Sequence, residues 1–394
     1  MRDMRYDAII SGAGPAGSTL ARLLARAGLE VLVLEKEMMP RTKPCGGAVS
    51  VKTARLLDFP WQESVEDVIH TVVFNFMGSN RVAVRTASPV AYMVTRSAFD
   101  KIMAEQAKRA GAHTIEGCAA KEVCIDNDRV TVCSGDKTFQ GKIFIGADGA
   151  KGAAARLLGM HRPRGTGPTL EAELECPPET LIFRRGRVTL DCGAVPRGYG
   201  WIFPKKSRLS AGVAAFTRSL RKVNMEKQLK NLIAREGLNG SKVLSLRGYP
   251  IPIDGGQKKK IHCRLGLLLG DAAGLVDPFS GEGIYYAVKS AHLAAEAILD
   301  HKTALWRAPD YYQRLVDRHI TGELAIARQI AKIFYSFPKQ IFQVIEKHPG
   351  IAEELCNIAG GRKSYSEIRE SGTKLWSLIP AGITQITKIF PGIL

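Results

Sequence analysis

Residues 6–35, YDAIISGAGPAGSTLARLLARAGLEVLVLE, restrict what this chain can fold into more than any other stretch. Residues 7–11 form a short apolar run of the length a buried parallel strand needs. Gly12-Ala13-Gly14-Pro15-Ala16-Gly17 follows and matches G-x-G-x-x-G. In such a turn Gly12 permits the tight bend, Gly14 lets backbone N–H groups approach a pyrophosphate, and Gly17 lets the helix lie close on the strand. A helix is predicted from Pro15 to Ala27, its positive end aimed at that phosphate, with Pro15 where an N–H is unpaired anyway. Gly28 ends it, residues 31–34 form a second strand, and Glu35 stands where a carboxylate accepts hydrogen bonds from ribose hydroxyls. Strand, turn, helix, strand and acid in this order define the opening βαβ unit of a dinucleotide-binding fold.

A length of 394 residues allows a large core divided into two or three lobes. The formal net charge of +18 calls for an anionic partner: a lipid surface, a diphosphate-bearing substrate or an acidic electron-donor protein. Nucleic acid is disfavoured, since no zinc-finger spacing, RNP-type motif or basic repeat occurs. The eight cysteines are scattered singly, without C-x-x-C or paired histidine spacing, so no metal site is expected. With no secretory signal ahead of the first strand, the expected compartment is a reducing cytoplasm. No apolar run approaches the ~18 residues of a spanning helix, so any membrane contact is expected to be peripheral.

Residues 36–50, KEMMPRTKPCGGAVS, read as a loop. Gly46-Gly47 would let main chain lie against a flat ligand, and Arg41 or Lys43 is placed to reach a phosphate. Cys45 is the one thiol whose sequence surroundings are electropositive. It is either a catalytic group or a small residue tolerated where backbone crowds a ligand. Residues 72–84 alternate loosely and predict paired strands leaving the first lobe. A helix is predicted over residues 97–110, amphipathic through Phe99, Ile102, Met103 and Ala107 and closed by Gly111. Arg96 precedes it, where a cation is mildly unfavourable; that mismatch favours a ligand contact over a plain surface charge. Residues 114–123 and 129–133 predict further strands. Another apolar strand ends at Ala147-Asp148-Gly149, and Asp148 either caps the next helix or meets a ligand at the strand's carboxyl end.

From residue 163 to 256, prolines, glycines and short alternating runs, such as 180–188 and 209–216, predict an antiparallel sheet and hence a second lobe. Within it, Tyr199, Trp201 and Phe203 share one face of a strand, as core or as the wall of an apolar ligand site. Residues 266–299 return to the first fold: a strand ends at Asp271, and Gly281-Glu282-Gly283 opens a long alanine-rich helix. That N-terminus suits the pyrimidine edge of a flavin, and Asp271 a ribityl or pyrophosphate group. Residues 310–394 predict helices. The final basic, apolar stretch, 375–394, is either an interfacial segment or a docking segment.

Three signals in fixed order, the glycine turn, Gly146-Ala147-Asp148-Gly149 and Gly270-Asp271-Ala272-Ala273, resemble the flavoprotein family of aromatic hydroxylases, halogenases and geranylgeranyl reductases. The resemblance to geranylgeranyl reductases, chlorophyll-type branch, runs over nearly the whole chain. Lys43-Pro44-Cys45-Gly46-Gly47-Ala48 resembles their K-P-C-G-G-A loop, residues 199–205 their Y-x-W-x-F-P-K motif, and residues 280–285 their S-G-E-G-I-Y. Two departures stand out: Gly212-Val213-Ala214 where the pattern closes in Gly-x-Gly, and Gly152 where many relatives have serine.

The resemblance implies an α/β fold: a Rossmann-like FAD-binding domain, an antiparallel-sheet substrate domain and a C-terminal helical region. The expected boundaries are 1–60, 96–160 and 262–304 for the first, 61–95 and 161–261 for the second, and 305–394 for the third. It implies FAD contacts at Ala16, Glu35, Cys45, Gly46, Ala48, Arg96, Ala120, Asp271, Gly283 and Ile284; the residues themselves add Gly12, Gly14, Gly17, Gly47, Asp148 and Gly281. It turns the aromatic stripe into a substrate wall of Tyr199, Trp201 and Phe203, with Lys205 beside it, and Arg184 or Arg185 as further anchors for a diphosphate. The expected reaction is saturation of prenyl double bonds by hydride from reduced flavin, with NADPH or reduced ferredoxin as reductant and Cys45 or water as proton donor. A flavin monooxygenase on an apolar substrate and a non-catalytic prenyl-lipid or flavin carrier are the rival classes.

Overall fold

In the computed structural model, which describes residues 5–160, 165–217 and 223–370, strand Arg5–Ser11 lies between Val31–Leu34 and Lys137–Gly146, parallel to both. Their central segments are apolar because both faces are covered there: Ile9, Ile10, Leu32, Ile143 and Ile145 are fully buried. Gly266–Leu268 and His113–Ile115 extend the sheet on its two sides, again in parallel. Glu122–Ile125, Val130–Ser134 and His262–Cys263 complete it, each pairing antiparallel. The single strand expected over 114–123 is two, because a turn at Gly117 (φ +67°) breaks it.

Helix Pro15–Arg26 crosses from the first strand to the second, burying Leu20 and Leu24 against the sheet. Gly28, at φ +82°, ends it in a conformation that other residues resist. Its outer neighbours are helix Arg96–Arg109, which begins one residue earlier than predicted, and the long helix Ile284–Asp300.

Among the described residues a second, seven-stranded sheet runs in the spatial order Lys242–Pro252, Thr166–Glu175, Leu209–Ala215, Gly198–Pro204, Arg187–Asp191, Thr71–Phe76 and Ser79–Arg85. All pairs are antiparallel except Arg187–Asp191 with Thr71–Phe76, which is parallel, so the expected all-antiparallel lobe is a mixed sheet. The run expected as strand over 180–188 divides into helix Pro178–Arg184 and the strand that follows. Pro178 at the first helical position and Glu179 in the first turn favour a helical start there.

Period-two alternation splits this sheet into two faces. Leu170, Ala172, Ile202, Ala211 and Val213 join helix Met225–Arg235 in one core. Thr169, Glu171, Tyr199, Trp201, Phe203 and Ala214 point the other way, into a cavity.

A three-stranded sheet, Ala48–Ser50, Ala91–Val94 and Val65–Ile69, joins the lobes by pairing strands from both sides of the expected boundary at residue 60. The C-terminal helices also divide between lobes. Tyr312, Leu315, Val316, Ile320 and Leu324 belong to the core of the first sheet, whereas Ile326, Ile330, Phe334, Phe342, Leu355 and Tyr365 pack with the second. The described part of the expected separate unit, residues 305–370, is therefore a seam: it continues one core, then covers the cavity of the other. No helix among the described residues is long and apolar enough to cross a membrane. The basic apolar stretch 375–394 lies outside the described residues.

Candidate active site

The glycine turn sits where the strands on either side of Arg5–Ser11 end. Gly12 N–H donates to Leu34 O at 2.8 Å, and Ala147 N–H donates to Ser11 O at 2.8 Å. A Cβ on Gly12 would stand 2.6 Å from Ala147 O, and one on Gly17 1.9 Å from Gly12 O, so both positions require glycine for close approach. A Cβ on Gly14 would stand 3.3 Å from an Arg41 guanidinium nitrogen. Arg41 therefore lies over the N-terminus of helix Pro15–Arg26, where first-turn N–H groups lack intrahelical partners. Ala16 is buried in that first turn. This is a donor set suited to a pyrophosphate.

Glu35 is buried and accepts Ala13 N–H at 2.8 Å and Glu37 N–H at 3.1 Å, one on each carboxylate oxygen. It braces the glycine turn and still has lone pairs for a ribose. Cys118 N–H donates to Glu35 O, and buried Ala120 follows two residues on, at this same end. Asp148 has a more local task than a ligand contact. Its carboxylate accepts Ala154 N–H at 2.8 Å, and a Cβ on Gly152 would lie 2.0 Å from it, which accounts for glycine there.

The other end of the site is built around Cys45. Arg96 is buried and holds Asp100 in a bidentate pair, both bonds 2.8 Å, while Arg41 reaches the same carboxylate at 3.1 Å. Burial opposes charge on Arg96, but Asp100 and the Cys45 thiol outweigh it and hold the guanidinium firmly protonated. The cysteine sulfur accepts Gly47 N–H at 3.4 Å. Both Gly46 and Gly47 line the cavity, and protein packing alone already requires glycine at each. A Cβ on Gly46 would stand 2.7 Å from the Phe203 ring; on Gly47, at φ +75°, it would meet Val94 O at 2.0 Å.

Lys205 does not line the cavity: its ammonium donates to Gly46 O at 2.8 Å and to Val94 O, fastening this loop to strand Ala91–Val94. Arg184 is equally committed, buried against Glu236 at 2.9 Å, and so is not a substrate anchor.

Asp271, Gly281, Gly283 and Ile284 close the site, and with Ala48, next to the Cys45 loop, they line the cavity. Asp271 lies 3.5 Å from Lys43 and beside Gly283, the cap of helix Ile284–Asp300. The loop leading into that helix is fixed by Asp277, which accepts Phe279 N–H, Ser280 N–H and the Tyr365 hydroxyl at 2.8, 3.1 and 2.6 Å. The helix therefore presents its first-turn N–H groups from a braced loop.

Between these walls is a cavity of about 340 Å³. Tyr199, Trp201 and Phe203 stand along one side of it, with neighbouring ring centroids 6.1 Å apart. Tyr199 donates to Ser280 O at 2.6 Å, and its ring begins a stack through Phe216 to Tyr335. Val72, Leu190, Phe334, Tyr335, Leu355 and Ile358 carry the apolar lining onward to the C-terminal helices.

Sequence reading did not single out those helical residues, nor Glu171, which lines the cavity and accepts Ser210 O–H at 2.6 Å. Alternating glutamates at 171, 173 and 175 mark one strand face, but nothing local says that Glu171 alone is buried.

A glycine turn at the carboxyl end of a central parallel strand, a cationic cradle above it and a second helix N-terminus facing an apolar cavity define an FAD-dependent oxidoreductase scaffold. Residues 5–175 match the FAD binding domain family. An uncharacterized protein of Methanosarcina barkeri is 33% identical over 84% of both chains. The geranylgeranyl diphosphate reductase of Rhodobacter capsulatus is 31% identical over 75% of each, and the menaquinone reductase of Mycobacterium tuberculosis 30% over 86% of each. A crystal structure of a geranylgeranyl bacteriochlorophyll reductase-like protein from Thermoplasma acidophilum superposes with a TM-score of 0.78 at 19% identity, covering 99% of both chains. The chain belongs to the geranylgeranyl reductase family of FAD-dependent proteins.

Proposed function

We propose that this protein is an FAD-dependent reductase that saturates carbon–carbon double bonds of a geranylgeranyl chain carried on a diphosphate, a pigment or a lipid. The observation that carries this reading is the cavity: apolar along most of its length, it runs from the Cys45 loop and the Gly283 helix cap to the C-terminal helices. Relatives named for a geranylgeranyl diphosphate and for a quinone, both prenyl-bearing molecules, support it. Bound FAD supplies hydride from its reduced ring.

The chain's own residues supply position and charge. Arg41 and the first turn of helix Pro15–Arg26 would hold the pyrophosphate, Glu35 the ribose, and the Gly283 cap the pyrimidine edge. An isolated alkene offers no carbonyl to polarise, so alignment in a dry slot must supply much of the rate. Tyr199, Trp201 and Phe203 are the slot wall in this reading, and Cys45 lies at its flavin end. Burying a chain of about 20 carbons contributes at most ~16 kcal/mol, at ~0.8 kcal/mol per carbon. Such substrates reside in bilayers, so the +18 charge suits anionic headgroups at a membrane surface or an acidic electron-donor protein. NADPH and reduced ferredoxin are the two reductants proposed.

The test is anaerobic incubation of dithionite-reduced protein with geranylgeranyl diphosphate, geranylgeranylated chlorophyll pigment, archaeal-type ether lipid and menaquinone, each followed by mass analysis. A product gaining two hydrogens per saturated bond supports the proposal and fixes the headgroup. No change in any of the four sinks it. Products that gain oxygen when air is admitted would instead identify a monooxygenase.

A further inference from the structure

Four carboxylates line the cavity. Three are matched by groups that stabilise negative charge. Asp271 lies 3.5 Å from Lys43, Glu282 pairs with Lys52, and Asp277 accepts two backbone N–H groups and the Tyr365 hydroxyl. Glu171 differs. It is buried on strand Thr166–Glu175, directly opposite Gly212 on the next strand, and no ion pair among the described residues holds it. The Trp201 indole N–H donates to Ser210 Oγ at 3.2 Å, and the Ser210 hydroxyl donates to Glu171 Oε1 at 2.6 Å. The Cys45 backbone N–H faces the same carboxyl. Trp201, through Ser210, and the Cys45 N–H thus converge on one carboxyl group, whose orientation is fixed by the serine.

We propose that Glu171 is the proton donor of alkene saturation, oriented by the Trp201–Ser210 relay. The inference rests on the reductase reading given above. In the step, hydride from the reduced flavin forms a C–H bond at one alkene carbon as the π bond breaks. The Glu171 carboxyl O–H bond breaks as its proton bonds to the other carbon. Oxidised flavin and the Glu171 carboxylate remain, and the carboxylate takes its next proton from solvent.

The surroundings keep this acid protonated further up the pH scale than an ordinary glutamate. Burial is the main cause and the Glu173 carboxylate adds to it; Ser210, Lys205 and the Cys45 N–H oppose it without reversing it. The Cys45 sulfur, by contrast, accepts Gly47 N–H and faces the Arg96 guanidinium.

The test compares wild type with Glu171→Gln, each loaded with FAD, reduced anaerobically with dithionite and mixed with geranylgeranyl diphosphate. The expected result is flavin reoxidation slowed by about 100-fold or more, the range for loss of a general acid, with FAD affinity unchanged. An independent readout needs no turnover: in infrared difference spectra of the substrate-free proteins followed across pH, wild type should keep a protonated-carboxyl C=O band to higher pH than an ordinary glutamate does, a band that Glu171→Gln lacks. An active wild type with an equally fast variant overturns the inference, as does absence of the band. A wild type that reduces no prenyl substrate fails the reductase reading instead. Should the glutamine variant not fold, Ser210→Ala keeps the acid but removes its hydrogen-bond donor. It should shift the infrared band and slow reoxidation, and a variant unchanged in both overturns the relay.

Discussion

The Trp201 indole lies flat across Gly212, its cross-strand partner, so closely that a Cβ on residue 212 would stand 2.1 Å from the ring. Gly212→Ala must therefore displace the indole and break its bond to Ser210. The expected loss of stability is about 1–3 kcal/mol, as for other overpacked sites, read from the urea midpoint. Trp201→Ala should lower prenyl turnover much more than FAD affinity. Equal losses of the two would make Trp201 a core residue and remove it from the slot.

Asp100 is the shared counter-ion of Arg96 and Arg41, with no exposed surface of its own. Asp100→Asn leaves the buried Arg96 guanidinium without its carboxylate and Arg41 with Glu35 alone, 3.7 Å away. Destabilisation of about 3–5 kcal/mol is expected, measured by urea unfolding of the apoprotein. A loss below 1 kcal/mol would mean that the pair is solvated or that another group takes over.

Lys205→Met removes the donor to Gly46 O and Val94 O while keeping most of the side chain's volume. Each orphaned carbonyl costs about 1–3 kcal/mol, and the Cys45-Gly46-Gly47 loop loses its fastening to strand Ala91–Val94. FAD affinity, titrated by flavin fluorescence, should fall. Unchanged affinity would separate this lysine from the cofactor site.

Cys45→Ala removes the sulfur that faces Arg96 and accepts Gly47 N–H. FAD should be retained, because the loop stays held by Lys205, while turnover falls. Undiminished turnover would leave Cys45 a small residue in a crowded loop and nothing more.

His292, on helix Ile284–Asp300, has a ring nitrogen 3.1 Å from Leu56 O. Burial depresses its pKa below 6.5, and the Leu56 carbonyl only partly compensates. Below pH 6.5 the unfolded chain binds a proton at this position that the folded chain refuses. Stability should therefore fall as the pH drops from 6.5 toward the depressed value, and His292→Gln should flatten that fall. Parallel urea midpoints for both proteins across that window would show it; identical slopes would assign the pH dependence to other groups.

Much of the nucleotide half of the site was legible because its rules are local. A turn that needs φ above zero at Gly12, a close helix–strand contact at Gly17 and an acid closing the next strand are all set within thirty residues. The aromatic stripe was legible as one strand face, since alternation alone puts Tyr199, Trp201 and Phe203 together. The identity of that face was not. Whether it meets a core or a cavity depends on helices more than a hundred residues downstream, whose apolar residues have the same periodicity in either case.

Polar side chains were the hardest to assign. Lys205 and Arg184 carry charges that read as ligand contacts, and each is taken up by a protein partner that only the tertiary structure brings near. Glu171 shows the reverse, a residue that alternation hides between other glutamates and that burial alone distinguishes. Sequence by itself determined the βαβ unit, the order of the flavoprotein motifs and the face of the aromatic strand, because those follow from backbone sterics and short-range periodicity. Tertiary structure decided which charges are free for chemistry, because a partner's distance is set by the packing of remote segments.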